Sequence, residues 1–283
     1  MSVTSSPLKA AAIQMASGTN VNANLLTIEK LLEEAARQGA TLAVLPENFA
    51  YLGASGRDVL PYREVQGDGP LQHFLSQIAA RLGIWIVGGT IPLEGEDAGR
   101  WRAASLVFDA EGREVARYDK QHLFDVTLPD SDEHYSESDA IEPGNEVVVV
   151  DSPIGRLGLA VCYDLRFPEL FRAMVDRGAE VFALPAAFTA VTGRAHWEVL
   201  VRARAIENLA WVIAGAQGGF HVGGRETWGH SMVVDPWGSV LACQERGNGI
   251  AIATIDPAFQ RATRRSFPCL DHRRLQCAAD ETE

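Results

Sequence analysis

The stretch Arg156-Leu-Gly-Leu-Ala-Val-Cys162-Tyr-Asp-Leu-Arg-Phe-Pro168-Glu-Leu170 predicts a buried strand that passes directly into a helix. Its apolar run has the length of a strand, and a proline in the first turn with an acid beside it is typical of a helix start. Cys162 stands at the junction, so we expect its thiol to point outward beside backbone N–H groups, which favour a thiolate and an oxyanion. Taken alone, a cysteine after an apolar strand is more often a buried core residue.

Two further strand ends carry reactive side chains. Glu47 follows the strand-like run 41–45, and Lys120 follows the alternating run 113–118. Functional groups of α/β sheets collect beyond the carboxyl ends of the strands, although each residue taken alone also fits an exposed loop. Together with Cys162 they supply a general base, an oxyanion donor and a nucleophile, which acyl transfer needs and for which no metal is required.

Helix and strand patterns alternate along the whole chain, which indicates α/β layers. No low-complexity linker and no repeat of solenoid length interrupts them, so we expect a single domain over 1–283 with a core at about 8–275. Four helices are predicted, over 21–39, 70–83, 167–177 and 195–209. The predicted strands are 8–15, 41–45, 84–89, 113–118, 146–151, 156–161, 180–184, 211–216, 230–234, 240–243 and 250–255. Periodicity alone does not distinguish a two-sheet sandwich from a doubly wound sheet.

Three motifs resemble the nitrilase, or carbon–nitrogen hydrolase, superfamily. Leu45-Pro-Glu47-Asn48, Tyr118-Asp-Lys120-Gln-His-Leu-Phe124 and Val161-Cys162-Tyr-Asp-Leu-Arg-Phe-Pro-Glu169 are similar, in this order, to the Glu, Lys and Cys motifs of that family. The likeness runs from 11 to 274. It implies an α-β-β-α sandwich that works without a cofactor and without a metal.

The resemblance also implies a role for each site residue. Glu47 is expected to be the general base, Cys162 the nucleophile and Lys120 the oxyanion donor. The backbone N–H of Tyr163 is expected to join Lys120, and Glu137 matches the position of the family's second glutamate, which orients the lysine.

Later segments narrow the resemblance to one branch. The segments 187–200, 202–208 and 229–238 are similar to the branch that holds deaminated glutathione amidases and ω-amidases. This implies an amidase that acts on a small 2-oxo-acid amide, with deaminated glutathione as the first expectation and 2-oxoglutaramate as the alternative. A catalytically silent binding protein of the same fold is the alternative from another class, and an intact set of motifs argues against it.

Four residues are candidates for substrate binding. Arg166 and Thr189 lie in the family-like segments, and an ion pair of Arg166 with Glu169 is the competing interpretation for that arginine. His221 and Arg225 lie in the glycine-rich segment 218–228, which we expect to be a flexible loop near the terminal carboxylate of a peptide. The segment 101–104 departs from the family pattern, and the segments 49–63 and 218–228 vary among such enzymes, so the exact amide stays open.

The composition limits the classes of partner. The 283 residues carry a formal net charge of −12, which argues against nucleic acid or an anionic membrane as partner. The four cysteines lack C-x-x-C spacing, which disfavours a zinc site and suits a reducing compartment. Met1–Lys9 lacks the apolar core of a signal peptide, and no apolar run reaches the ~18 residues of a membrane helix. We therefore expect a cytoplasmic enzyme with a small-molecule substrate.

The charged helix predicted at 195–209 has two interpretations. Its residues Arg202, Arg204 and Glu207 fit a salt-bridged surface, but the corresponding region of the related family helps to form a dimer interface. The basic and apolar tail 260–277 is a second candidate contact. We expect a homodimer or a higher homo-oligomer.

Overall fold

The computed structural model describes residues 8–127 and 134–275, in which two β-sheets lie between two pairs of helices. The helices are α1 (Val21–Arg37), α2 (Pro70–Leu82), α3 (Pro168–Asp176), α4 (Ala190–Asn208) and α5 (Pro257–Ser266). The strands are β1 (Lys9–Gln14), β2 (Leu42–Val44), β3 (Trp85–Val87), β4 (Ile91–Glu94), β5 (Trp101–Phe108), β6 (Glu114–Asp119), β7 (Asp125–Thr127), β8 (His134–Ser136), β9 (Val149–Ser152), β10 (Gly155–Leu159), β11 (Val181–Ala186), β12 (Trp211–Ala216), β13 (Gly218–Phe220), β14 (Glu226–Trp228), β15 (Ser231–Val234), β16 (Val240–Gln244) and β17 (Gly249–Thr254).

The first sheet has the order β17-β1-β2-β3-β5-β4, with β6 paired to β5, and the second has the order β16-β15-β12-β11-β10-β9. In the first sheet β1, β2 and β3 are parallel, and in the second β10, β11 and β12 are parallel. Helices α1 and α2 cover the outer face of the first sheet, while α3 and α4 cover that of the second. The α-β-β-α sandwich implied by the resemblance is therefore confirmed.

Continuous apolar runs in the central strands follow from burial on both faces. Along β1, Ala10 and Ala12 face the second sheet, while Ala11 and Ile13 face the helical layer formed by α1 and α2. The two sheets approach closely at Gly215 in β12, where a Cβ atom would lie 2.4 Å from the carbonyl oxygen of Val44. This close contact joins the ends of β2 and β12.

Helix α4 begins at Ala190, five residues before the predicted start, and it includes Gly193. In the structure Gly193 packs against Trp228, whose Cβ would lie 2.2 Å from any Cβ added at this position. The glycine thus serves close packing inside the helix. Thr189 caps the helix by accepting a hydrogen bond from the backbone N–H of Thr192.

Strands β4, β5, β7 and β8 are not among the predicted strands, and two further segments also differ from the prediction. The glycine-rich segment 218–228 is predicted to be a loop, but β13 and β14 pair within it to form an antiparallel hairpin. Helix α5 is not predicted, although its start carries a sequence signal, since Asp256 caps it and Pro257 occupies its first turn. Among the described residues, no helix is long and apolar enough to cross a membrane.

Candidate active site

Three strand ends meet at one end of the sandwich and carry Glu47, Lys120 and Cys162. Glu47 follows β2, Lys120 follows β6 and Cys162 follows β10. The backbone is left-handed at Asn48 (φ 56°) and at Cys162 (φ 49°). Such conformations are uncommon outside glycine and cluster at functional sites.

Lys120 is fully buried and lies between two carboxylates. Its Nζ atom donates to Oε1 of Glu47 at 2.8 Å and to the two oxygens of Glu137 at 2.9 and 2.7 Å. Burial by itself lowers the pKa of Lys120, but the charges of Glu137 and Glu47 outweigh it and raise that pKa well above its usual value. The lysine is therefore held as an ammonium ion. Glu137 is itself held by the backbone N–H of Phe124 at 2.8 Å.

The thiol of Cys162 is buried, and its Sγ atom accepts a hydrogen bond from the backbone N–H of Ala187 at 3.5 Å. Burial raises the pKa of Cys162 well above its usual value, and the carboxylate of Glu47 raises it further, against the opposing effect of Lys120. In the resting site these two effects outweigh the backbone N–H of Ala187 and the ammonium of Lys120, which favour a thiolate. Helix α3 begins only at Pro168, and Glu47 disfavours a second negative charge beside it. The thiol must lose its proton as it reacts, and Glu47 is the adjacent carboxylate.

Two spaces lie at the site and share four wall residues. A narrow one of about 10 Å³ is walled by Cys162, Tyr163 and Ala187 among others, and a pocket of about 650 Å³ lies next to it. Phe124 and Arg225, together with the carboxylates of Glu47 and Glu137, line both spaces. The larger volume lies within the range of roughly 300–1,000 Å³ that is usual for ligand pockets.

The segment 49–63, which the sequence leaves open as a determinant of the substrate, forms one wall of the larger pocket between Tyr51 and Val59. Trp101, at the point where the sequence departs from the family pattern, lines the same pocket. Its indole N–H donates to the carbonyl oxygen of Gly56 at 3.0 Å and so ties this wall to β5.

Arg166 and Thr189 line the narrow space. The guanidinium of Arg166 lies 5.2 Å from the ring centre of Phe188 and 5.8 Å from that of Tyr163. Its Nη1 atom lies 3.2 Å from Nδ1 of His196. The arginine thus lies beside the residue that follows the nucleophile.

Arg225 reaches the site from the hairpin. Its Nη2 atom donates to the carbonyl oxygen of Ala187 at 2.9 Å, and its guanidinium lies 5.3 Å from the ring centre of Tyr135. Since the N–H of Ala187 donates to Cys162, Arg225 and the nucleophile are both hydrogen-bonded to Ala187.

His221 directly follows β13 within the hairpin, and the described walls of the two spaces do not include it. Its Nδ1 atom lies 2.8 Å from the carbonyl oxygen of Ser17, and its Nε2 atom lies 2.7 Å from Oγ1 of Thr227. With both ring nitrogens engaged, this geometry does not support the expectation that His221 binds substrate. The residue fastens the hairpin to the strand end after β1.

Sequence reasoning missed Ala187 and Gln217. Gln217, which is fully buried, donates from Nε2 to the carbonyl oxygen of Glu47 at 2.9 Å and accepts from the N–H of Ser17. It thereby fixes the turn that carries the carboxylate. Both residues directly follow apolar strands, β11 and β12. This position at a strand end is the sequence feature that could have marked them as site residues.

Comparison with known proteins places this arrangement in a family. The sequence pattern described as carbon–nitrogen hydrolase matches residues 9–265. The chain belongs to the carbon–nitrogen hydrolase family. A Yersinia enterocolitica relative named deaminated glutathione amidase is 43% identical over 266 residues, which cover 94% of this chain and 92% of the relative. A human relative of the same name is 41% identical over 271 residues, covering 93% of this chain and 81% of the relative.

Solved structures of carbon–nitrogen hydrolases have the same fold. A Saccharomyces cerevisiae protein described as a member of branch 10 of the nitrilase superfamily superposes with a TM-score of 0.85 at 31% identity, covering 96% of this chain and 98% of that one. The chain is thus a carbon–nitrogen hydrolase in sequence and in architecture, and the predicted superfamily is confirmed.

Proposed function

We propose that this carbon–nitrogen hydrolase cleaves the amide bond of deaminated glutathione to give 2-oxoglutarate and cysteinylglycine. The observation that carries the proposal is a pair of spaces, a narrow one walled by Cys162 and another of about 650 Å³, which share Glu47 and Arg225 as walls. A leaving group as large as cysteinylglycine needs such a volume, whereas ammonia does not. The names of the relatives at 43% and 41% identity support the same substrate.

The first half-reaction forms a thioester. Glu47 takes the proton of the Cys162 thiol as Sγ attacks the amide carbon, and the ammonium of Lys120 and the N–H of Tyr163 hold the oxyanion. The amide C–N bond then breaks, Glu47 returns its proton to the leaving nitrogen, and cysteinylglycine departs. The raised pKa of Cys162 supports proton transfer to Glu47 during the attack, because a buried thiol stays protonated until a base accepts its proton.

The second half-reaction hydrolyses the thioester. Glu47, again unprotonated, removes a proton from a water molecule that attacks the thioester carbon. The oxyanion returns to the same donors, and Sγ leaves with a proton as 2-oxoglutarate is released. Glu137 orients Lys120 throughout, which the hydrogen bonds of 2.9 and 2.7 Å to the ammonium support.

The two charged ends of the substrate are assigned to two arginines. Arg166, beside Thr189 in the narrow space, binds the carboxylate of the 2-oxo acid, and Arg225 binds the terminal carboxylate of the leaving peptide. Arg225 suits the second role because it lines the narrow and the large space. An arginine offers a planar pair of donors that matches a carboxylate.

The experiment that tests the proposal is a panel of amides assayed by chromatography for released cysteinylglycine and ammonia. We expect kcat/KM for deaminated glutathione to exceed that for 2-oxoglutaramate and for simple aliphatic amides. A higher value for 2-oxoglutaramate would instead assign an ω-amidase, and no turnover of any amide would favour a silent binding protein. The matched control is Cys162→Ala, which removes the nucleophile and leaves the pocket walls in place.

We further propose that the enzyme forms a homodimer through α4 and the C-terminal segment. Ile206 on α4 is exposed and contacts Gly238, next to Trp237, which is 58% exposed and whose ring centre lies 5.7 Å from that of Phe267. Sedimentation of Trp237→Arg should give the monomer mass. Phe220→Arg, at an aromatic residue of the hairpin that is 77% exposed, should leave the assembly unchanged.

We also propose a cytoplasmic location. The cysteines that the structure describes, Cys162, Cys243 and Cys269, are free thiols, which suits a reducing compartment. Fractionation of the source cells should recover the protein with cytoplasmic markers, and recovery with the secreted fraction would refute this location.

A further inference from the structure

Asp164 is a fully buried carboxylate for which the proposed mechanism has no use. It lies in the short 3₁₀ turn Cys162–Arg166, two residues after the nucleophile. Its Oδ2 atom accepts from the hydroxyl of Tyr118 at 2.6 Å and from the backbone N–H of Val161 at 2.8 Å. Its Oδ1 atom lies 2.7 Å from Nδ1 of His122 and accepts from the backbone N–H of the same residue at 3.1 Å.

The donors to Asp164 come from the two segments that carry the reactive groups. Val161 directly precedes Cys162, while Tyr118 and His122 lie on either side of Lys120 in the chain. A single carboxylate therefore joins the turn of the nucleophile in the second sheet to the end of β6 in the first. The two segments are far apart in sequence, and this link sets where one lies relative to the other.

The surroundings keep this carboxylate rigid. The ring of His122 stacks on that of Phe167 with centres 3.7 Å apart, and Tyr118 is fully buried. The turn that Asp164 holds contains Cys162 in a left-handed conformation, which needs support from neighbouring contacts to persist. Hydrogen bonds to an ionised acceptor are short and strong, and Asp164 provides them on both sides.

We propose that Asp164 is a positioning residue that fixes the Sγ atom of Cys162 relative to the ammonium of Lys120. It acts through Val161 on the side of the thiol and through Tyr118 and His122 on the side of the lysine, and it does not touch the substrate. The proposal rests on the proposed function for the roles of Cys162 and Lys120. It assigns to Asp164 an effect on kcat and none on substrate binding.

The test is Asp164→Asn, which keeps the size of the side chain and removes one acceptor atom. In one orientation its NH₂ group faces the N–H of Val161, and in the other it faces the N–H of His122, so one backbone donor loses its partner in either case. We expect kcat to fall about 10- to 100-fold, the scale on which small misplacements of reacting groups act. KM should stay within about twofold, because a misplaced reacting group lowers kcat without changing how tightly the substrate binds.

The matched control is Asp109→Asn. Asp109 is also buried and accepts hydrogen bonds from the backbone N–H groups of Glu111 and Arg113, but it lies in the turn between β5 and β6. We expect its kcat to equal that of the wild type even where its Tm falls. Equal losses of kcat in the two variants, or unchanged kcat in Asp164→Asn, would overturn the proposal.

A second readout needs no substrate. The rate at which iodoacetamide alkylates Cys162, followed by mass spectrometry of the peptide that contains it, should fall in Asp164→Asn and not in Asp109→Asn. This measurement tests the positioning even where the assigned amide is wrong, and equal alkylation rates would overturn it. Where Asp164→Asn does not fold, Tyr118→Phe removes a single donor, and an unchanged kcat in that variant would likewise refute the role.

Discussion

Replacing Arg225 with alanine should change which amide the enzyme prefers. The side chain lines both the narrow space at Cys162 and the larger pocket. One of its nitrogens already donates to Ala187 at 2.9 Å, and the remaining donors are assigned to the carboxylate of the leaving peptide. Deaminated glutathione has this carboxylate and 2-oxoglutaramate does not. The variant should therefore affect the two substrates unequally.

Two contributions set the size of the effect. Loss of a charge-assisted hydrogen-bond pair costs roughly 1.5–3 kcal/mol, which is a rise of about 10- to 150-fold in KM for deaminated glutathione. The variant also loses the charge-assisted hydrogen bond to the carbonyl oxygen of Ala187, which loosens the residue whose N–H contacts Cys162. This second contribution lowers kcat for both substrates alike, by up to about tenfold. The ratio of the two kcat/KM values isolates the first contribution.

The assay measures kcat and KM for both amides in wild type, Arg225→Ala and Arg166→Ala. The ratio of kcat/KM for deaminated glutathione to that for 2-oxoglutaramate should fall about 10- to 150-fold in Arg225→Ala. Arg166→Ala is the matched control, because both substrates carry the 2-oxo acid and both should lose affinity equally. An unchanged ratio in Arg225→Ala would refute the reasoning and would place the leaving group away from the hairpin.

Two other predictions concern the buried side chains of Lys120 and His221. Lys120→Ala should lower kcat by ~10²–10³, as for removal of one oxyanion donor, and Lys120→Arg should not restore it, because its planar group places the charge elsewhere; full activity of the arginine variant would show that any nearby positive charge suffices. Burial lowers the pKa of His221 below its usual 6.5, so its contribution to stability is complete above that pH and is lost as the pH falls. Between about pH 8 and about pH 5 the Tm of wild type should drop more than that of His221→Gln, and parallel curves would contradict this.

Sequence patterns were sufficient for the elements that carry the chemistry. The apolar runs before Glu47 and Cys162 are strands β2 and β10, which end one and two residues before the predicted ends, and the alternating run before Lys120 is strand β6. Such runs are informative because strands buried on both faces leave little choice of residue. The packing of two sheets face to face came from the family resemblance, since neither face of a buried strand is marked by polar residues.

Features that depend on contacts between distant segments were not predictable. The start of helix α4 before Gly193 was not predicted, and the packing of this glycine against Trp228 is a contact between distant segments. His221 is predicted to bind substrate, but in the structure both its ring nitrogens lie at hydrogen-bonding distance from other residues of the chain. The raised pKa of Cys162 was not predictable, because burial and the charge of Glu47 are properties of the folded site. The role of Asp164 was not predictable for the same reason, because a buried aspartate and an exposed one are identical in sequence.

Rapid quenching of the enzyme with deaminated glutathione, followed by intact-mass spectrometry, tests covalent catalysis by Cys162 most directly. We predict an acyl adduct of the 2-oxoglutaryl group on wild type and none on Cys162→Ala. The alanine variant should lose turnover while its stability changes by at most ~1–2 kcal/mol, the usual range for a small cavity. Amidase activity in Cys162→Ala above a few per cent of wild type would contradict the thioester mechanism.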